Sequence, residues 1–225
     1  MELNDLTVLY LTANELPDGW YDYQRAILSQ ATVGAPIISL TRKPIDFGQN
    51  LIDSNEKSIF NIYLQMLEGA KVATTPYIAI AEDDVLYSKE HFHDFRPPID
   101  TFAYDMNRLG LFTWKKNPMY FFKNRVSNSM LIAPRELMIE ALEERFKSNN
   151  AYKIHGELGR NNIEDKLGIT RRKKAEFFSE MSSIRFDHEL GYDHASRHHR
   201  KKEGPIKAYD IPEWGRADGL VKKFV

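Results

Sequence analysis

The sequence has no cysteine among its 225 residues. Disulfides, thiolate metal sites and cysteine nucleophiles are therefore excluded together, an absence that fits a reducing, cytoplasmic compartment. Charge of one sign is lacking too. Lys and Arg number 31 against 32 Asp and Glu, so any preference for a polyanion must come from local clustering. No apolar run approaches the ~20 residues that span a bilayer. The N-terminus, with Glu2 and Asp5 around a short apolar start, does not read as a signal peptide. The phosphate-cradling GxxxxGKS/T and GxGxxG loops are missing, as are the HExxH and GxSxG hydrolase patterns. With 42% hydrophobic and 28% charged residues, what remains is the composition of a globular domain with a substantial core.

What is present is alternation. "LTVLYL" (6–11), "PIISLT" (36–41) and "YIAIA" (77–81) read as apolar strands, and "RKPIDFGQN" as the loop after the second. Between them, "WYDYQRAILSQA" (20–31) has helical spacing. "EKSIFNIYLQMLEGAKVA" (56–73) lines up Ile59, Ile62, Tyr63, Met66, Leu67 and Ala70 in one apolar stripe, stopped by Thr74-Thr75-Pro76. Strands separated by helices imply parallel pairing and a sheet covered on both faces, an α/β architecture. Further on, "FRPPID" (95–100) cannot be helix interior, because Pro97 and Pro98 lack the amide donor. "LGLFTW" (109–114), "SNSMLIAP" (127–134) and "SSIRFDH" (182–188) read as later strands. "PRELMIEALEERFKS" (134–148) reads as a helix that starts at proline, and the chain ends in a polar, basic tail.

The third strand runs directly into Glu82-Asp83-Asp84. In an open parallel sheet ligands bind beyond the carboxyl ends of the strands, and adjacent carboxylates repel unless a cation or donors compensate them. Oxygen ligands without thiolates favour Mg²⁺ or Mn²⁺ and, through such an ion, a diphosphate. The plain alternative is an acidic turn that solvates the strand end.

The order strand-helix-strand-helix-strand, ending in "TPYIAIAEDD", resembles the GT-A glycosyltransferases, broadly the family 2-like group, over roughly residues 6–190. "KPIDFGQN", "AEDDVLY", "LIAPRELMIEALEERF" and "WGRADGLVKKF" are similar to small phage-type glycosyltransferases. The resemblance implies a Rossmann-like mixed, mostly parallel sheet with helices on both faces. It implies a transferase domain over 1–190, with a nucleotide-sugar half at 1–88 and an acceptor half at 89–190, and a basic tail or lid at 191–225. It further implies that Asp84 binds Mn²⁺ or Mg²⁺, with His188 as a second ligand and His194 as the runner-up. Glu82 and Asp83 would face the ribose or the metal's water shell. Thr12 and Asn14 would line the nucleotide, and Asn61 and Lys57 would lie near the base or diphosphate. The donor would be a UDP-sugar. Glu157, between Gly156 and Gly159, resembles the loop acid that deprotonates the acceptor hydroxyl; Asp165 and Glu164 are further candidates.

Two basic runs, Arg171–Lys174 and "RHHRKK" (197–202), admit three readings: a solvated face, a lid over the diphosphate, or a surface for nucleic-acid phosphates. The phage-type likeness makes a hydroxymethylated DNA base a candidate acceptor. Two other classes stay open. One is a metal-dependent nuclease or phosphoesterase, for which Lys89 is a nearby cation, and the other is a GT-A-like binding module without chemistry.

Overall fold

The computed structural model describes residues 3–191 and 202–225. β1 (Leu6–Thr12), an inner strand of the main sheet, is seven residues buried along their whole length, as expected of a strand covered on both faces. α1 (Asp18–Ala31) connects β1 to β2 (Ile37–Thr41), and β3 (Gln49–Ile52) follows on the edge. α2 (Ile59–Val72) then leads to β4 (Tyr77–Glu82), and all four strands run parallel. Ser58 starts α2 by accepting the Asn61 amide, a polar cap on the helix's free N–H groups.

β3 corrects the reading of "RKPIDFGQN" as loop throughout. Its four residues are polar or half-exposed, so they carry little apolar periodicity. Gly48 lets it close on β2: its φ is +67°, and a Cβ there would lie 2.4 Å from the Ile37 carbonyl oxygen.

After β4 the chain forms β5 (Val85–Leu86), α3 (Lys89–His93), β6 (Thr101–Asp105), β7 (Arg108–Phe112), β8 (Tyr120–Phe122) and β9 (Leu131–Pro134). Next come α4 (Arg135–Lys147), α5 (Asn161–Leu167), β10 (Lys173–Phe177) and β11 (Ser183–Asp187). Among the described residues, the main sheet has seven strands in the order β3-β2-β1-β4-β9-β6-β10, with β9 antiparallel to both neighbours. Side chains alternate across it. Leu9 and Ile80 pack under α2 and α4, whereas Val8, Tyr10 and Ala81 pack with Leu28 of α1 and Phe92 of α3. The expected mixed, mostly parallel sheet with helices on both faces is what forms.

A second sheet, β12-β8-β7-β11-β5, includes β12 (Lys207–Ala208) from the end of the chain. A short hairpin, β13 (Asp210–Ile211) and β14 (Gly215–Arg216), leads into α6 (Ala217–Phe224). The polar reading of the tail stops short of this helix. Ala217, Leu220, Val221 and Phe224 are buried, and the Phe224 ring stacks 4.9 Å from Phe186 and 4.6 Å from Trp20. Its charged face, with Lys222 and Lys223, dominates so short a segment and hides the apolar one. Among the described residues no helix is long and apolar enough to cross a membrane.

The Arg171–Lys174 run lies at and just before the edge strand β10, and its charges are engaged within the chain. Arg171 pairs with Asp165, Lys173 with Asp100 and Lys174 with Glu176, while the buried Arg172 pairs with Glu140 and Glu144. Of "RHHRKK", all but Lys202 lies outside the described residues, as does His194.

Trp20 joins the two ends of the chain: it is fully buried, touches Phe186 and Phe224, and donates its indole N–H to the Asp83 carbonyl at 2.8 Å. Trp20→Ala is expected to cost about 3–5 kcal/mol in urea unfolding; a loss below about 1 kcal/mol would show that the C-terminal helix contributes little to this core.

Candidate functional site

Glu82 ends β4, and Asp83 and Asp84 form the turn into β5. Since β4 belongs to the main sheet and β5 to the second, the three carboxylates occupy the point where the chain changes sheets. β5 pairs with β11, and the Phe186 amide donates to the Asp84 carbonyl at 2.8 Å. That ladder brings residues from a distant part of the chain onto the acids. The Arg185 guanidinium lies 3.4 Å from Asp84 and 3.7 Å from Glu82, and His188 Nε2 lies 3.7 Å from Asp84 Oδ2. Asp83 turns the other way, accepting from the Thr12 hydroxyl and, at 3.3 Å, from the Tyr21 hydroxyl.

Two clefts meet at this turn. The first, about 170 Å³, is lined by Thr12, Lys57, Asn61 and all three acids; the second, about 330 Å³, is lined by Tyr63, Asn128, Arg160 and Glu157. Glu82, Asp84, Arg185 and His188 belong to both.

Most of the residues singled out in the sequence come together here. Lys57 bridges Glu15 and the Leu190 carbonyl at the rim of the first cleft, and Asn61 donates its side-chain amide to Asp53. Asn14 stands in the left-handed region at φ +55°, and its side-chain oxygen accepts the Arg42 and Lys43 amides, so it ties the loops after β1 and β2 together. Glu157 is paired with Arg160 at 2.7 Å. Its loop needs its glycines: Gly159 has φ +72°, and a Cβ on Gly156 would meet Ile163 at 2.5 Å. Asp165 lines neither cleft, being exposed and bonded to Arg171. Glu164 is buried, where it accepts the Gly159 and Arg172 amides. Glu164 thereby holds the loop that carries Glu157, through the Gly159 amide.

No protein-family model and no curated protein matches the chain. Solved structures do. A mannosyltransferase from Pyrobaculum calidifontis, solved with GDP-Man and Mn²⁺, superposes with TM-score 0.50 over 84% of this chain at 10% identity; the match spans 58% of that protein. A glycosyltransferase involved in glycosylation of the major capsid of PBCV-1 gives TM-score 0.47 at 9% identity over 77% of this chain and 81% of that one. A Drosophila galactosyltransferase solved with manganese, UDP-Gal and xylobiose gives 0.40 at 12% identity over 96% and 79%.

The fold is GT-A.

In this GT-A chain Arg185 is the residue that sequence reasoning missed. The signal was a charged residue inside "SSIRFDH", alternating with the buried Ile184 and Phe186. It lowers two of the three acids, Glu82 and Asp84. Burial pushes Glu82 up to about 7 despite Arg185, with Asp84 and Asp83 adding to the rise. Asp83 is raised to about 6, first by burial and then by Asp84. Burial acts on Asp84 too, but Arg185 and then His188 overrule it and hold that carboxylate below its ordinary value. Of the three, Asp84 is therefore the acid fixed as a carboxylate.

A divalent cation fits Asp84 and His188. The buried Asp84 Oδ1 has no hydrogen-bond partner, and 3.7 Å between the two side chains is within twice the ~2.1 Å of a metal–ligand bond. Among the described residues no group of three His, Asp or Glu converges as a complete ligand set. The protein would thus supply two ligands and leave the others to phosphate oxygens and water, the usual preference of Mg²⁺.

The raised Glu82 and Asp83 make a signed prediction for metal-free protein. Each folded-state value lies above the ordinary one, so between the two the folded chain keeps a proton that the unfolded chain has lost. The contribution of these two groups to stability should fall as pH rises from about 4 to 7, so Glu82→Gln should shift the pH slope of stability upward relative to wild type. Urea unfolding in chelator across this range reads it; an unchanged slope in Glu82→Gln contradicts it.

Proposed function

We propose that this protein is a metal-dependent glycosyltransferase that moves a sugar from a nucleoside diphosphate donor, in the first instance a UDP-sugar, to an acceptor hydroxyl. The observation that carries the reading is the meeting of Asp84 and His188, from distant parts of the chain, at the junction of the two clefts. In support, a mannosyltransferase of similar fold was solved with GDP-Man and Mn²⁺.

The first cleft takes the nucleotide. Thr12 and Asn61 stand on its walls, and Lys57 places an ammonium group at its rim. The bound cation would act as a Lewis acid, neutralising charge that builds on the departing diphosphate. Asp84 and His188 would hold it. Arg185, already beside Asp84, adds a fixed positive charge aimed at the same oxygens and cannot be deprotonated at working pH. The acceptor enters the second cleft, where Glu157 is the carboxylate placed to take the proton of its hydroxyl. That role requires the Arg160 pair to shift as the acceptor binds, and it assigns inversion at the anomeric carbon.

A nuclease or phosphoesterase would draw further carboxylates or histidines onto the acids. Beside Asp84 stand His188 and the cation Arg185, but among the described residues no group of three His, Asp or Glu converges there, and Lys89 stands at the start of α3, outside both clefts. The transferase reading is therefore preferred.

Thermal unfolding with UDP and GDP, with and without Mn²⁺, tests it. One nucleotide with Mn²⁺ should raise Tm, since ligand at ~100 Kd contributes about 2.7 kcal/mol. Asp84→Asn and His188→Ala should each abolish the metal-dependent part. An equal shift in Asp84→Asn, or no shift with either nucleotide, would overturn the assignment. Given a productive donor and acceptor, Glu157→Gln should lower kcat about 10²-fold or more with donor binding intact.

A further inference from the structure

Beside the second cleft lies a hollow of about 480 Å³, lined by Phe60, Tyr152, Asn55, Glu56, Ser58 and His155 among others. Its floor is aromatic. Phe60, in the first turn of α2, packs edge-on against Phe146 at 5.1 Å and stacks on Tyr152 at 4.2 Å, with the two rings 20° from parallel. Tyr152 is 72% exposed although one face lies on Phe60. An aromatic ring seated on another ring yet left in water has not been placed there by burial, and it presents a flat apolar surface ringed by amide, hydroxyl, carboxylate and imidazole groups.

The hollow and the second cleft share a wall. His155 and Ile59 line both, and His155 is two residues from Glu157. The wall is rigid. The buried Arg145 donates to the Ile154 and Gly156 carbonyls at 2.9 Å each, lies 3.8 Å from the centre of the Tyr63 ring, and is joined on Gly156 by the Tyr63 hydroxyl. His155 Nδ1 is buried without a partner.

Charge narrows the occupant. No Lys or Arg lines the hollow, and its one carboxylate is Glu56. The Arg171–Lys174 run is consumed in ion pairs within the chain. A polynucleotide is held through uncompensated cations on its phosphates, and among the described residues the lining of the hollow offers none. A sugar ring suits it. The apolar C–H face of a pyranose covers an aromatic ring while its hydroxyls reach the polar rim, the combination of one apolar face and a few placed polar groups that neutral polar ligands require.

We propose that Phe60 and Tyr152 form a stacking shelf for a saccharide unit of the acceptor, next to the cleft in which Glu157 meets its hydroxyl; the acceptor is then a glycan rather than DNA. This rests on the transferase reading for its role and on the shelf alone for its binding. The test separates the two. Wild type, Asp84→Asn, Tyr152→Ala and Tyr152→Phe, all full-length, are applied to an oligosaccharide microarray that also carries duplex DNA containing 5-hydroxymethylcytosine. Nucleotide-dependent Tm shifts with Mn²⁺ are measured alongside. Wild type and Asp84→Asn should bind the same glycans, Tyr152→Phe should retain them, and Tyr152→Ala, at an exposed position that folding does not require, should lose about tenfold or more in affinity. Glycan binding that is absent, or undiminished in Tyr152→Ala, overturns the shelf, as does preference for the duplex. A normal nucleotide shift beside absent glycan binding rejects the shelf and leaves the transferase standing. A lost nucleotide shift beside Tyr152-dependent glycan binding keeps the sugar site and rejects the transferase.

Discussion

Arg185 is the cation on which the site depends. A buried strand that ends in adjacent acids must desolvate them and hold them against mutual repulsion, and both costs rise in a low-dielectric interior. The chain meets this by changing sheets at that point. The β5–β11 ladder, closed by the Phe186 amide on the Asp84 carbonyl, sets the guanidinium against Glu82 and Asp84 and delivers His188 to the same place. The three acids then separate by environment. Asp83 turns toward Thr12 and Tyr21 on the side of β1, Glu82 is drawn toward neutrality, and Asp84 is kept charged. One sequence triplet yields three chemically different groups.

The parts of the fold legible in the sequence were those with a strong period. β1, α2 and β4 are buried elements whose apolar residues recur at the spacing of their structure, and the acids after β4 stood out because they broke such a run. What stayed hidden had weak or misleading patterns. β3 is polar because it is an edge, and α6 is so short that its lysines mask the four residues it buries. Glu157 and His188 were singled out only through the likeness to a family, and the fold sets both on the wall of the second cleft. Arg185 was not singled out, because its meaning depends on a pairing between β5 and β11 that no local pattern encodes. The same holds for Asp165 and Arg171, which look like a candidate acid and a basic patch until the fold pairs them. Asn14 shows a subtler case: a polar residue just past a strand end, placed well for a ligand, whose side chain is used to join two loops.

Away from the acids, Arg145 plays a comparable part. Buried between α4 and α2, it fixes the loop that carries His155 and Glu157, so the wall between the second cleft and the aromatic hollow is set before any ligand arrives. Preorganisation of this kind reduces what a ligand must order on binding. It also puts the Glu157 carboxylate and a flat aromatic surface beside one short segment, whose His155 lines both the second cleft and the hollow.

The proposed cation would lie at the junction of the clefts, held jointly by Asp84 and His188. Crystals grown with Mn²⁺ and the nucleoside diphosphate that stabilises the protein, measured at the manganese absorption edge, address it directly. One anomalous peak between the Asp84 carboxylate and the His188 ring, shared with the diphosphate, is the predicted result. A diphosphate bound beside Arg185 with no manganese on Asp84, or manganese bound elsewhere, would contradict it.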